Sequence, residues 1–256
     1  MDPQPLTSPM LARAGFRHAF FGRLGGHSPK PFDSLHFGAA GHDAATLAAN
    51  VAVAERWLGL APSRLFVVTQ VHGRDVVVLD GSEEHGAVLA RTADAVVSAA
   101  PGVGCGVKVA DCVPILLADV ASGAVAAVHS GWQGTVANVA GAAVSALRRE
   151  LGGDGKLMAA IGPHIESCCF EVGEDVAAKL QARAPGDDVV DCTRGPRPYV
   201  NLRAIVHRQL LDAGLTGDAV DDVAGCTRCD AHRFFSYRRD RETSGRQLAA
   251  IVARSA

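Results

Sequence analysis

Apolar residues recur along this chain with two periods, and the switches between them mark the elements. From Asp43 onward, Leu47, Val51, Ala54, Trp57 and Leu58 return at helical spacing, with Asp43 placed to cap the helix. RLFVVTQVHGRDVVVLD (64–80) predicts two strands about a turn at Gly73, and DAVVSAA (94–100) a third. After the PGVG turn come three more strand-like runs, CGVKVA, PILLAD and AVAAVHS. GTVANVAGAAVSALRREL (134–151) predicts one helix with Val136, Ala140, Val144, Leu147 and Leu151 on its apolar side. LMAAIGP reads as a strand, and GEDVAAKLQAR and LRAIVHRQLLDAG as amphipathic helices. FFSYRR and QLAAIVAR read as closing strands. Strands outnumber helices and few alternate as βαβ units, so the pattern predicts an α+β fold rather than a doubly wound parallel sheet. No composition break divides residues 1–256, which predicts a single domain.

Composition narrows the function classes. The chain is 48% hydrophobic and 20% charged with a formal net charge of −2, an ordinary globular balance. There is no basic run or aromatic series, so a nucleic-acid partner is not expected. No apolar run reaches about 18 residues and the start lacks a signal-peptide pattern, so the expectation is a cytoplasmic protein with no membrane span. In a reducing compartment its seven cysteines are core residues, metal ligands or reactive thiols.

Asp111 and Cys112 interrupt the apolar run VKVADCVPILLAD (107–119), where a buried strand has no use for a carboxylate beside a thiol. His72 ends VVTQVH, Cys112 follows VKVAD, and His129 ends AVAAVH. If these strand ends converge, two imidazoles and a thiolate face one point, a donor set suited to zinc with a fourth position open. The same residues fit a Cys–His nucleophile, with Cys112 attacking and His72 or His129 as base. Each residue alone is more simply a packed or surface side chain. HSGWQGT turns a strand into a helix between Gly131 and Gly134, as a plain turn or an anion contact. In IGPHIESCCFEVG (161–173), Cys168 and Cys169 are adjacent; in an extended segment they would face opposite ways and pack in the core. Glu171 is a pocket carboxylate or a helix-start residue. CTRCDAH (226–232) contains one CxxC pair, which leaves a second zinc site or a redox pair as minor readings. Arg238 and Arg239 adjoin in a predicted strand, so one would face a pocket and the other water. Arg23 precedes a Gly-rich loop.

Six segments in order, TQVHG, ADAVVS, ADCVPILLAD, AVAAVHSGWQGT, IGPHIESCCFEVG and FFSYRRD…SGRQ, resemble the laccase-domain (YfiH-type, multicopper polyphenol oxidase) family. The resemblance runs from about Phe20 to Ile251, nearly the whole chain. It implies mixed β-sheets packed between helical layers. It also implies a zinc site formed by His72, Cys112 and His129, with Asp111 orienting a ligand or touching substrate. The implied activity is phosphorolysis of adenosine, inosine, guanosine and methylthioadenosine, with deamination of adenosine, so the implied partners are purine nucleosides and phosphate. Arg23, Arg238, Arg239, Glu171 and His164 are the candidate substrate contacts. Copper is less expected than zinc, because none of the ten histidines forms an HxH pair. The chain departs from the family pattern at Val109, Ser130, Gln133 and His164. Alternatives are a Cys-dependent hydrolase or amidase acting on cell-wall precursors, a polyphenol oxidase as the family label has it, or a non-catalytic sensor. The chain is expected to be a monomer or homodimer.

Overall fold

The computed structural model describes residues 2–256. In chain order the elements are α1 (Pro9–Arg13), β1 (His18–Phe20), α2 (Ala44–Leu58), β2 (Leu65–Phe66), β3 (Val76–Leu79), α3 (His85–Leu89), β4 (Ala95–Ser98), β5 (Gly104–Val109), β6 (Val113–Asp119) and β7 (Val125–Ser130). There follow α4 (Trp132–Val136), α5 (Val139–Leu151), β8 (Leu157–Ile161), α6 (Glu174–Gln181), β9 (Val190–Asp191), β10 (Tyr199–Val200), α7 (Leu202–Asp212), β11 (Val220–Asp222), α8 (Tyr237–Asp240) and β12 (Gln247–Val252). One sheet runs β1-β12-β5-β2 and a second runs β11-β8-β6-β7-β4-β3; both mix parallel and antiparallel pairs. β9 and β10 form a separate ribbon.

The two sheets face each other, and helices cover their outer faces. Strand β6 shows the logic. Leu116 and Ala118 join Phe20, Phe66, Val107 and Ile251 between the sheets. Ile115 and Leu117, one residue out of phase, pack with Ala140, Val144 and Leu147 of α5 and Ile205 of α7. Both faces of β6 are buried, which is why it reads as a continuous apolar run rather than an alternating one. On the far side, Val53, Ala54 and Leu58 of α2 cover Phe21, Leu248 and Ala250. Mixed sheets between helical layers are therefore the architecture, and among the described residues no helix is long and apolar enough to cross a membrane.

Four local expectations fail for identifiable reasons. The 134–151 helix is two helices, because Asn138 adopts a left-handed φ of 59° and caps α5 through Gly141 N–H. FFSYRR is not a strand: Ser236 Oγ accepts from Arg239 N–H at 3.2 Å and starts the short helix α8. VVTQVH is strand only at Leu65–Phe66, and His72 sits in a turn at φ 60°. The buried face of α2 is Asn50, Val53, Ala54 and Leu58, while Trp57 is exposed.

Candidate metal centre and its cleft

The six-stranded sheet brings several strand ends to one edge. β6 and β7 are antiparallel, so Cys112, just before β6, lies beside the C-terminal end of β7 with His129. β4 is antiparallel to β7 and β3 is parallel to β4, which puts Asp94 and the loop carrying His72 at that edge too. The donor atoms of His72, Cys112 and His129 all lie within 4.8 Å of one another. Cys112 Sγ is 3.9 Å from His72 Nε2, and the two imidazoles meet edge to face at 4.9 Å. His129 is buried, Cys112 half-buried and His72 exposed, so the cluster opens in one direction. There is no room for a side chain at Gly131: a Cβ there would stand 2.8 Å from His72 Cδ2 and 3.0 Å from Cys112 Sγ.

Asp94 organises this cluster, and sequence reasoning missed it. It is fully buried. Its Oδ1 lies 2.8 Å from His129 Nδ1 and accepts the His72 N–H at 2.9 Å. Its Oδ2 accepts from Gly73 and Val71 N–H at 2.6 and 3.3 Å. One carboxylate thus leaves His129 Nε2 facing the cluster and closes the turn that presents His72. The available signal was a carboxylate opening the otherwise apolar ADAVVS.

Charge is shared across the cluster. Burial alone would push the Cys112 thiol up, but the charge of His129 and hydrogen bonds from both imidazoles bring it down to about 6. For His129 burial acts downward, and the Cys112 thiolate and Asp94 outweigh it, raising it to about 9. Without metal the pair is a thiolate and an imidazolium, ready to exchange a proton for a cation.

The cluster opens onto a cleft lined also by His36, Gln70, Lys108, Tyr237, Glu242 and Arg246. Gln70 clamps the Lys108 backbone, donating to its carbonyl at 2.7 Å and accepting its N–H at 2.8 Å. Burial and the neighbouring Arg246 charge hold the Lys108 ammonium below its ordinary range. The ion pairs of the described residues include neither Lys108 nor Arg246. His36 Nδ1 accepts from Arg246 N–H at 2.8 Å and from Gly38 N–H at 3.2 Å, while Nε2 donates to Ala40 O at 2.9 Å. That pattern demands the neutral ring, and burial pushes its pKa down to about 4.

The other sequence candidates lie outside this cleft lining. The Asp111 carboxylate turns away from the cluster: Thr227 Oγ1 donates to Oδ1 and Arg238 N–H to Oδ2, each at 2.6 Å. The Arg238 guanidinium donates to the carbonyls of Glu171 and Cys169. That of Arg239 donates to those of Thr227, Arg228 and Phe234 and pairs with Asp240. The alternation argued for these two arginines fails because they stand on a helix turn, and both brace loops. Arg23 lies over Phe235 and donates to Asp33 O and Ala231 O. Glu171 meets Tyr199 and Arg197 at the surface. His164 is buried, with Nδ1 2.8 Å from Gly162 O and Nε2 3.6 Å from Glu166.

The donor set is a fit for one ion of the zinc type, with two nitrogens, one sulfur and an open side. It is a poor fit for a multicopper cluster, which draws on many more imidazoles.

Residues 17–254 match the family model described as multi-copper polyphenol oxidoreductase laccase. The chain belongs to this family. A purine nucleoside phosphorylase from Streptomyces griseus is 40% identical over 98% of this chain and 99% of its own length. An adenosine deaminase (RL5) from an unknown prokaryotic organism is 36% identical over 76% of this chain and 77% of its own length. Among solved structures, YlmD from Geobacillus stearothermophilus superposes with a TM-score of 0.89 at 31% identity, covering 100% of this chain and 97% of that one. Both sequence relatives carry nucleoside-enzyme names, not phenol-oxidase ones.

Proposed function

We propose that this laccase-family chain is a zinc-dependent purine nucleoside phosphorylase that also deaminates adenosine. Inosine, guanosine and methylthioadenosine are its further phosphorolysis substrates. One observation carries the reading: an open His72–Cys112–His129 cluster shares its cleft with two basic side chains, Lys108 and Arg246, that join none of the ion pairs among the described residues. The names of the relatives support the same reaction class. Zinc held by His72, Cys112 and His129 would supply a Lewis acid and lower the pKa of water.

The protein's own residues supply binding and orientation. Lys108 and Arg246 hold the phosphate dianion, Arg246 through the N–H groups left after its Nη1 donates to Ser244 O and Gly245 O, with Gln70 fixing the Lys108 strand and His36 fixing the Arg246 backbone. In phosphorolysis a phosphate oxygen bonds to C1′ as the C1′–N9 bond breaks. The electron pair leaves with the purine, which takes up a proton. In deamination a water oxygen bonds to C6 and ammonia leaves. Asp94 keeps His129 in one tautomer through either reaction.

A second reading has its own observation. Cys112, His129 and Asp94 form a thiol–imidazole–carboxylate series, which in a metal-free protein is the arrangement of a Cys hydrolase. Incubation with adenosine, with and without phosphate and with and without a strong chelator, separates the two. The phosphorylase should release adenine only with phosphate, form inosine in either case, and lose both activities on chelation. Inert adenosine, together with an amide hydrolysis that survives chelation and is blocked by iodoacetamide, would transfer the chemistry to Cys112 as nucleophile.

A further inference from the structure

Four cysteines that do not line the cleft gather at one point. Cys168 Sγ is 3.7 Å from Cys169 Sγ, 3.6 Å from Cys226 Sγ and 3.7 Å from Cys229 Sγ. Cys169 and Cys229 are 3.3 Å apart, and all four sulfurs lie within 4.8 Å of one another. All are free thiols. Neighbouring Cys168 and Cys169 share this point because their segment is a turn, closed by Cys169 and Phe170 N–H on Glu166 O, and not the extended stretch that spacing suggested. The CxxC forms a matching turn, closed by Asp230 N–H on Cys226 O at 3.1 Å. A bridge between His164 and Cys226 sets the two turns side by side.

From this geometry we infer a second metal site, a closed tetrathiolate centre for zinc. Zinc–sulfur bonds of about 2.3 Å place the corners of a tetrahedron about 3.8 Å apart, close to the spacings here. Disulfide pairing needs about 2.05 Å and would leave two thiols over in any single pairing. The surroundings suit an anionic centre. The Arg228 guanidinium reaches Cys169 Sγ at 3.5 Å, and Arg194 and Arg238 hold the carbonyls of the Cys168–Cys169 turn. Among the described residues the metal-donor group at this point is four sulfurs, a full tetrahedral set of the kind that structural zinc sites use.

The site also explains the arginine pair. Arg239 donates to Thr227 O and Arg228 O within the CxxC turn, and Thr227 Oγ1 holds Asp111 beside Cys112. The tetrathiolate centre thereby fixes one wall of the turn that presents the catalytic ligand.

Zinc content of protein purified under reducing conditions, without added metal, tests the inference. Two zinc ions per chain are expected in the natural protein, one in Cys229→Ser, one in Cys112→Ser and none in the double variant. One zinc in the natural protein, lost with Cys112→Ser and unchanged in Cys229→Ser, overturns it; so does a disulfide among the four thiols in place of metal. Should Cys229→Ser fail to fold, stripped Cys112→Ser protein refilled with cobalt gives the answer. A strong thiolate-to-cobalt charge-transfer band supports the four-sulfur site, and its absence overturns it. Because the first site is absent from that variant, failure here leaves the nucleoside reading untouched.

Discussion

Two sulfur-bearing clusters sit on the same scaffold and are built in opposite ways. His72, Cys112 and His129 come from the edge of a twisted sheet, where strand pairing fixes their spacing and a buried Asp94 fixes their orientation. They number three, mix nitrogen with sulfur, and face a cleft. Cys168, Cys169, Cys226 and Cys229 come from two surface turns, number four, are all sulfur, and face one another. An incomplete donor set beside a cleft can take substrate or water; a complete one can only hold loops together. The difference between catalysis and structure thus lies in ligand count and surroundings rather than in the presence of cysteine.

The contrast sets an order of expected effects. His129→Ala and Cys112→Ser should lower nucleoside turnover by more than about 100-fold, the upper end for losing a residue that only orients a ligand. Asp94→Asn should cost about 10–100-fold in turnover or zinc affinity with the fold retained, read by metal titration and circular dichroism. Lys108→Ala or Arg246→Ala should raise the KM for phosphate roughly tenfold or more, since a hydrogen bond to a charged group is worth about 1.5–3 kcal/mol, while deamination changes little. An equal loss of deamination would move these cations from the phosphate to the purine. Gly131→Ala should cost about 1–3 kcal/mol of stability by overpacking and weaken zinc binding, because its Cβ meets both His72 and Cys112.

His36 supplies one part of the pH dependence, beside the buried His18 and His164, which burial shifts in the same direction. The folded pKa of His36, about 4, lies below its ordinary value of 6.5, so the folded state prefers the neutral ring. The stability it protects is present above about pH 6.5. It falls by up to about 1.4 kcal/mol per pH unit as pH drops through that value, and the loss stops near 4. Thermal melts at pH 7 and pH 5 should differ less in His36→Gln than in the natural protein. An unchanged difference would place the acid sensitivity elsewhere.

Much of the fold was legible. Asp43 caps α2 as read, accepting Thr46 N–H at 2.7 Å, and β5, β6 and β7 fall where the apolar runs put them. The convergence of Cys112 and His129 needed only that β6 and β7 be neighbours; His72 joins them from a turn that Asp94 holds, which no strand pairing foretold. What stayed hidden depended on tertiary direction. Asp94, Lys108 and Arg246 look like ordinary strand residues until register and packing decide which way they face. Arg238 and Arg239 looked like anion ligands because a Ser cap is hard to tell from a strand in FFSYRR. The four cysteines are split between two segments 58 residues apart, and tertiary contacts such as the bridge at His164 bring them together.

Chromatography of adenosine incubated with zinc-loaded protein, with phosphate supplied or withheld, tests whether the open cluster and its two cations form a phosphorolytic site. The expected result is adenine and ribose 1-phosphate only when phosphate is present, inosine under both conditions, and neither product from His129→Ala. Adenine formation without phosphate, or products unchanged in His129→Ala, would contradict it.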